Sequence, residues 1–298
     1  MANVFALHQE LVGRMYEHGG YDAFKIADPK PRDIHKATVR DRLLHHAIYR
    51  QLYPFFDRTF IADSYSCRLD KGTHRAMRRF QRFAYQVSKN DTRTCYVLKC
   101  DIRKFFASID HRILMAILRK RIADEDTLWL LGRVIESFSS TAPGKGLPLG
   151  NLTSQLLVNV YMNEFDRFAK HALKASYYIR YADDFVFLSE DRAWLESLIP
   201  QIREFLGFEL TLELHPDKVY IKTLASGVDF LGWVHFPDHR VLRTASKRRM
   251  LRRLADVERK GRSEKGADGE TVRSSYRGML GYGNTYKLRK QAGLIPAP

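Results

Sequence analysis

Cysteine is scarce. The 298 residues hold three, Cys67, Cys95 and Cys100, with no CxxC pair. That leaves no disulfide framework, and a reducing, cytosolic setting fits best. No run of about 18 apolar residues occurs, so no segment reads as membrane-spanning. The opening stretch, MANVFALHQELVGRMYEHGG, is too broken by charge for a signal peptide. Internal repeats and low-complexity tracts are absent, and no GxxxxGK[ST] loop marks a nucleotide-binding P-loop. Acidic residues are under-represented. Asp+Glu number 34 against 50 Lys+Arg, a net charge of +16 and a pI of about 9.8. Such a balance points to a polyanionic partner, nucleic acid first, or else to a solvated basic surface.

The first 30 residues read as a helix ending near Gly19-Gly20, followed by a polar loop. From Pro31 to about Arg82 the pattern is helical and basic. CYVLKCDI (Cys95 to Ile102) alternates as a strand, with Val97, Lys99 and Asp101 on one face. Helices run on to about Phe138. The Gly/Pro loop APGKGLPLGN precedes a long helix from about Thr153 to Leu173, with Thr153 or Ser154 as its cap. SYYIRYADDFVFLSE reads as strand, tight turn, strand. A helix at about 191–205 leads into FELTLELHPDKVYI, read as a strand with Phe208, Leu210, Leu212 and Leu214 on one face. VDFLGWVHFPDHRVLR suggests a further hairpin. The fold class expected is α+β, an antiparallel sheet covered by helices. Residues 240–298 change character, with 16 Lys/Arg against 5 Asp/Glu. There, Met250, Leu251, Leu254 and Val257 form a helical stripe. Lys247, Arg248, Arg249, Arg252 and Arg253 cover the rest of that helix and are expected to face nucleic acid.

Asp183 and Asp184 stand side by side in an apolar setting, where carboxylates need a partner. Asp101, closing a strand, is the candidate. If its strand neighbours the 181–188 hairpin, Asp101 and Asp183 converge. Clustered carboxylates repel unless a cation joins them, and all-oxygen ligands select hard ions, above all Mg²⁺. A pair of Mg²⁺ ions about 3.5–4 Å apart is the clamp of polymerases and nucleases. A lone ADD is equally an Asp-rich hairpin tip. What changes the reading is the order: strand Asp, Gly loop with long helix, Asp-Asp hairpin, Lys218, then FLGW.

That order resembles a reverse transcriptase, and most of all those of diversity-generating retroelements, from about Pro31 to the C-terminus. KCDIRKFFASIDH resembles the first palm motif. It implies Asp101 as metal ligand, with the Ile102 backbone as an oxygen ligand, and Phe106 as steric gate against the 2′-hydroxyl. YADD resembles the YxDD motif and supplies Asp183, with Asp184 in support. SYSCRLDKGTHRAMRRF resembles the fingers segment, which nominates Arg68, Lys71 and Arg75 as phosphate contacts. LHPDK places Lys218 near the pyrophosphate. DFLGW resembles the primer grip, here Phe230, Leu231, Gly232 and Trp233. LPLGNLTSQ stands where most relatives read QGxxxSP. It puts Leu149, Gly150 and Gln155 at the incoming nucleotide, with Leu149 replacing a hydrogen-bonding Gln.

The resemblance implies a right-hand polymerase. Residues 1–94 would be the N-terminal region and fingers, 95–235 the palm with inserted fingers helices at about 112–145, and 236–298 a basic thumb. The implied activity is RNA-directed DNA synthesis with two Mg²⁺ ions, dNTPs, a template-repeat RNA and an RNA/cDNA heteroduplex, mutagenic at adenines. An oligomeric basic accessory variability protein is the implied partner, with no membrane. The rivals are another bacterial reverse transcriptase, of group II intron or retron type, and a non-catalytic RNA-binding protein on the same scaffold. Phe105 reads as core. His45 and His46 fall on different helix sides and make no metal pair. Tyr276 and Tyr282 either stack on nucleic acid or pack the C-terminal helices.

Overall fold

A computed structural model describes residues 2–27, 31–140, 142–261 and 267–295. Parts of the loop read after Gly20 (28–30) and of the basic C-terminal segment (262–266, 296–298) lie outside the described residues. In chain order the elements are α1 (Ala2–Val12), β1 (Tyr21–Ile26), β2 (Arg32–Ala37), α2 (Val39–Asp57), α3 (Thr73–Val87), β3 (Tyr96–Asp101), α4 (Phe105–Ser108), α5 (His111–Arg119) and α6 (Glu125–Glu136). Then follow α7 (Leu152–Arg167), β4 (Tyr178–Tyr181), β5 (Asp184–Ser189), α8 (Arg192–Leu210), β6 (Tyr220–Thr223), β7 (Val228–Phe230), β8 (Trp233–His235), β9 (Arg240–Leu242), α9 (Thr244–Gly261), α10 (Ala267–Leu280) and α11 (Tyr286–Gln291). The sheets are β1-β2, β4-β5-β3-β6 and β7-β8-β9. No described helix is long and apolar enough to cross a membrane.

The chain forms two compact units. The first takes residues 1–72, 98–187 and 193–220, the second 73–97, 188–192 and 221–298. In the first unit α7 is apolar almost all round, from Leu156 to Phe165, so it is buried on every side. It packs against α2 and α5. Five residues of π-type backbone, Phe168–Ala172, extend it to the length the sequence suggests. Its start differs from expectation. Asn151 holds the cap position, and Thr153 and Ser154 are buried inside the first turn. In the second unit Met77, Trp233, Leu242, Met250, Leu254, Leu280, Ala292 and Leu294 form one apolar cluster under the β7-β8-β9 meander.

Two further sequence expectations fail. The stretch 21–37, read as loop and then helix, is the antiparallel β1-β2 hairpin, with Tyr21 opposite Ala37 and Ile26 opposite Arg32. Its strands are largely exposed, so the alternation that betrays a half-buried strand is missing. The strand read at 208–221 is mostly something else. Leu195, Leu198, Ile202, Leu206 and Leu210 are buried at helical spacing, and they carry α8 through Leu210. Phe208 consequently points to solvent at 82% exposure. Only Leu214 bridges a strand, at Ile102, before β6 begins.

Candidate active site

The aspartates meet because three short backbone links sew their strands together. The amide of Ile102 donates to the carbonyl of Asp183 at 3.1 Å, which sets the end of β3 against the β4-β5 turn. On the other side, His215 N donates to Asp101 O at 2.7 Å and Arg103 N to Glu213 O at 2.8 Å, flanking the Ile102–Leu214 bridge. An extended residue turns its N–H and C=O to the same edge. The Ile102 carbonyl therefore faces the Asp183 side.

The turn itself is held from behind by a residue that the sequence reading left unused. Arg180 is fully buried and makes a bidentate pair with the equally buried Asp166, Nε and Nη2 each at 2.7 Å. Its Nη1 donates to the carbonyl of Ala182 at 3.2 Å, inside the turn, and to Asn159 Oδ1. Nη2 also reaches Ser64 Oγ at 3.1 Å. Burial works against the charge on Arg180, yet the Asp166 carboxylate outweighs it and the pKa is raised. Tyr178 donates to the same carboxylate at 2.7 Å. The readable signal was an arginine inside an apolar strand, which demands a buried acid. Ala182 takes a left-handed φ of +55° in a two-residue turn that puts Asp183 at its tip and Asp184 at the start of β5, opposite Tyr181.

Each carboxylate has a distinct environment. Lys218 Nζ donates to Asp101 Oδ1 at 2.7 Å. Lys99, buried on β3, donates to Asp184 Oδ1 at 2.8 Å. Asp183 makes no ion pair among the described residues, and burial followed by the charge of Asp101 raises its pKa. Asp184 is pushed up to about 6 by burial, despite Lys99. Positive charge is thus in short supply at this corner. Among the described residues no three His, Cys, Asp or Glu side chains form a preassembled metal cage.

The neighbouring loop is fastened to β2, a link invisible in the sequence. His35 N donates to Leu149 O at 3.0 Å, and Asn151 Nδ2 donates to His35 O at 2.8 Å. Leu149 and Gln155 are half-buried and Gly150 is exposed. Leu147 N donates to Phe106 O at 2.8 Å, tying this loop to α4. Phe105 is core, and Phe106 is half-exposed beside it, rings 5.6 Å apart.

The residues expected to contact phosphate divide. Arg68 does not offer a free guanidinium, which corrects its reading as a phosphate contact. Nε donates to Asp57 Oδ1 at 2.6 Å, Nη1 to the Ile61 and Ser64 carbonyls, and Nη2 to Asp57 O. Its side chain is 5% exposed. Lys71 reaches Ala62 O at 2.8 Å on the surface of the same unit. Arg75 is exposed on α3 in the second unit. In that unit Phe230 and Trp233 are buried, so they brace the β7-β8 turn, expected as a primer grip, while half-buried Leu231 and Gly232 form its tip. Of the basic α9 residues, Arg248, Arg252 and Arg253 are exposed, and Lys247 and Arg249 are half-buried. His45 is buried and His46 exposed, on different sides of α2. Tyr276 packs on the apolar cluster, and Tyr282 stacks on His74 at 3.5 Å.

An antiparallel, helix-backed sheet that places one acid at a strand end and two at a facing hairpin turn defines a palm-type polymerase centre. The chain belongs to the reverse transcriptase (RNA-dependent DNA polymerase) family, which it matches over residues 27–235. YkfC of Escherichia coli strain K12 is 26% identical over 265 residues, covering 76% of this chain and 68% of YkfC. The group II intron-encoded protein LtrA of Lactococcus lactis subsp. cremoris is 22% identical over 290 residues, covering 74% of this chain. The match spans under half of LtrA, 46%. Among solved structures, telomerase from Candida albicans in complex with a TWJ fragment of telomeric RNA superposes with a TM-score of 0.59. That match has 10% identity and covers 84% of this chain and 54% of that one. The fold is that of a right-hand polymerase.

Proposed function

We propose that this chain copies an RNA template into DNA at Asp101 and Asp183, as the reverse transcriptase of a diversity-generating retroelement. The observation that carries the polymerase reading is the Ile102–Asp183 backbone bond, which sets the two acids together. Asp101, Asp183 and the Ile102 carbonyl would hold two Mg²⁺ ions, with Asp184 in support. The fit rests on donor chemistry: all-oxygen ligands, and an Asp183 carboxylate with no cation of its own. When bound, such ions supply charge neutralisation for the attacking 3′-oxygen and the leaving pyrophosphate.

The remaining work belongs to the protein. Positioning dominates, because phosphoryl transfer needs little covalent help. The new bond joins the 3′-oxygen to the α-phosphorus, and the bond to the bridging oxygen breaks. Lys218, whose Nζ donates to Asp101 at 2.7 Å, would donate a proton to the departing pyrophosphate in this reading. Phe106 shapes the sugar pocket, and Lys71 and Arg75 face the triphosphate or template. The Leu231-Gly232 turn seats the primer, and Arg248, Arg252 and Arg253 track the heteroduplex backbone. In this reading 1–94 supplies the fingers, 95–235 the palm and 236–298 the thumb. Primer extension on RNA with Mg²⁺ tests it. The wild type extends and Asp183→Ala does not; equal extension by both removes the mechanism.

The retroelement assignment rests on Leu149, Gly150 and Gln155. A leucine packs but offers no hydrogen bond to hold the nascent pair. Its partners would be a template-repeat RNA and an oligomeric basic accessory variability protein. The likeness to LtrA favours a second reading, a group II intron-type enzyme. Errors concentrated opposite template adenine support the first reading. Evenly spread, rare errors support the second and leave the polymerase reading intact.

A further inference from the structure

Asn159 sits in the middle of apolar α7 at 1% exposure. A buried amide is costly unless its donors and its acceptor are met. Those of Asn159 are met from two sides. Its Nδ2 donates to the Ser66 carbonyl at 2.9 Å, and to the Gln155 carbonyl one turn back on α7 at 3.2 Å. Its Oδ1 accepts from Arg180 Nη1 at 3.2 Å. The amide has no choice of orientation, because a guanidinium only donates and a carbonyl only accepts. The same Arg180 nitrogen holds the Ala182 carbonyl in the turn that bears Asp183.

Ser66 belongs to the 61–72 loop, which is built as a block. Arg68 Nη1 ties the Ile61 and Ser64 carbonyls together, and Lys71 Nζ reaches the Ala62 carbonyl. Gly72 N closes the loop on Tyr65 O at 3.0 Å. The block is fastened to β4 by a parallel bridge between Ser64 and Arg180. Tyr65 N donates to Arg180 O and Arg180 N to Asp63 O, each at 3.0 Å. Arg180 Nη2 adds a bond to Ser64 Oγ at 3.1 Å. Cations that the sequence assigns to phosphate are thus spent on stiffening this loop. Arg180 and Asn159 then join it to the catalytic turn, and Asn159 alone also reaches Gln155.

We infer that Asn159 is a positioning residue for the incoming nucleotide, with its two ends doing different work. The Nδ2 end sets the 61–72 loop and the Gln155 turn, where the nucleotide is bound. The Oδ1 end, through Arg180, sets the turn that carries Asp183, where the chemistry occurs. This rests on the polymerase reading and on Gln155 lying at the nucleotide. It adds a residue that touches neither substrate nor ion.

Primer extension at varied dNTP concentration, with thermal unfolding alongside, tests it. Asn159→Asp keeps an acceptor for Arg180 and loses both donors. Its KM for dNTP rises about tenfold while kcat stays within about threefold of wild type. Asn159→Leu loses both ends, so kcat also falls by about tenfold. Ser64→Ala deletes a single hydroxyl on the loop side; it raises KM by a smaller factor and carries the test if neither Asn159 variant folds. A residue with only a structural role would lower the melting temperature and leave KM unmoved. An unmoved KM in Asn159→Asp, or in Ser64→Ala where that variant stands alone, overturns the inference, as does a fall in kcat without a rise in KM. Asp183→Ala separates the two failures. Extension by Asp183→Ala removes the polymerase mechanism itself. No extension by it, beside an Asn159→Asp with the wild-type KM, removes only the role given to Asn159.

Discussion

Asp166 and Arg180 illustrate how a residue remote from chemistry can set it. The pair is fully buried, and the arginine's remaining donors hold the Ala182 carbonyl and Asn159. Asp166→Asn leaves a buried cation without its counter-charge and is expected to cost about 3–5 kcal/mol. Urea unfolding measures this, and a loss below about 1 kcal/mol would show that the pair is dispensable. Leu149 lies at the other end of the scale, half-buried and replaceable. In the proposed function, Leu149→Gln adds a polar contact worth about 1–2 kcal/mol at the nascent pair, enough for roughly tenfold discrimination. Sequencing of products should then show fewer errors opposite template adenine. An unchanged error spectrum would detach Leu149 from fidelity. The convergence of Asp101 and Asp183 was legible from the order of motifs along the chain rather than from ADD itself, and the Ile102–Asp183 bond brings them together. The lysines on Asp101 and Asp184 were not paired in the sequence, because Lys99 and Lys218 lie 85 and 117 residues from their acids.

At the level of elements, strands with a buried face announce themselves, and those without one do not. β3 and β5 carry runs of buried residues and were placed within a residue or so. The exposed β1-β2 hairpin was taken for loop and helix, although its His35 anchors the Leu149 loop. FELTLEL shows that alternation can coincide with a helical stripe, since Leu206 and Leu210 satisfy the α8 period. The β7-β8 turn is set by backbone conformation. Leu231 and Gly232 both take positive φ, +52° and +84°, the pattern of a two-residue I′ hairpin. A Cβ at Gly232 would meet only Ser246 Oγ, at 3.9 Å, so the cost of substitution there is conformational rather than steric. Gly232→Ala is expected to destabilise by about 1–2 kcal/mol. Calorimetry showing no drop in Tm would rule out this turn geometry.

For the whole molecule, buried titratable groups predict a pH profile. His45 and His235, one in each unit, are held near pKa 4, chiefly by burial. An unfolded histidine titrates near 6.5. Between pH 4 and 6.5 the unfolded chain therefore binds protons that the folded chain refuses. Stability is full above about pH 6.5 and falls toward pH 4, by up to about 3 kcal/mol per histidine. Asp184 acts oppositely. Its folded pKa is raised to about 6, so its contribution is lost as pH rises through that value. Two histidines outweigh one aspartate, and denaturant midpoints should rise from pH 4.5 to 7. A flat or falling profile would mean that the histidines are hydrated in the native state.

The sequence by itself determined the class of molecule. Its basic balance, its three acids in order and its strand-turn-strand around YADD are local or compositional, and local patterns survive without the fold. Only the tertiary structure decided which cation sits on which acid, that Arg68 is spent on its own loop, and that Arg180 braces the Ala182-Asp183 turn. Each of these depends on groups far apart in the chain meeting out of water, where an unpaired charge is costly, and no spacing rule along a sequence encodes such a meeting.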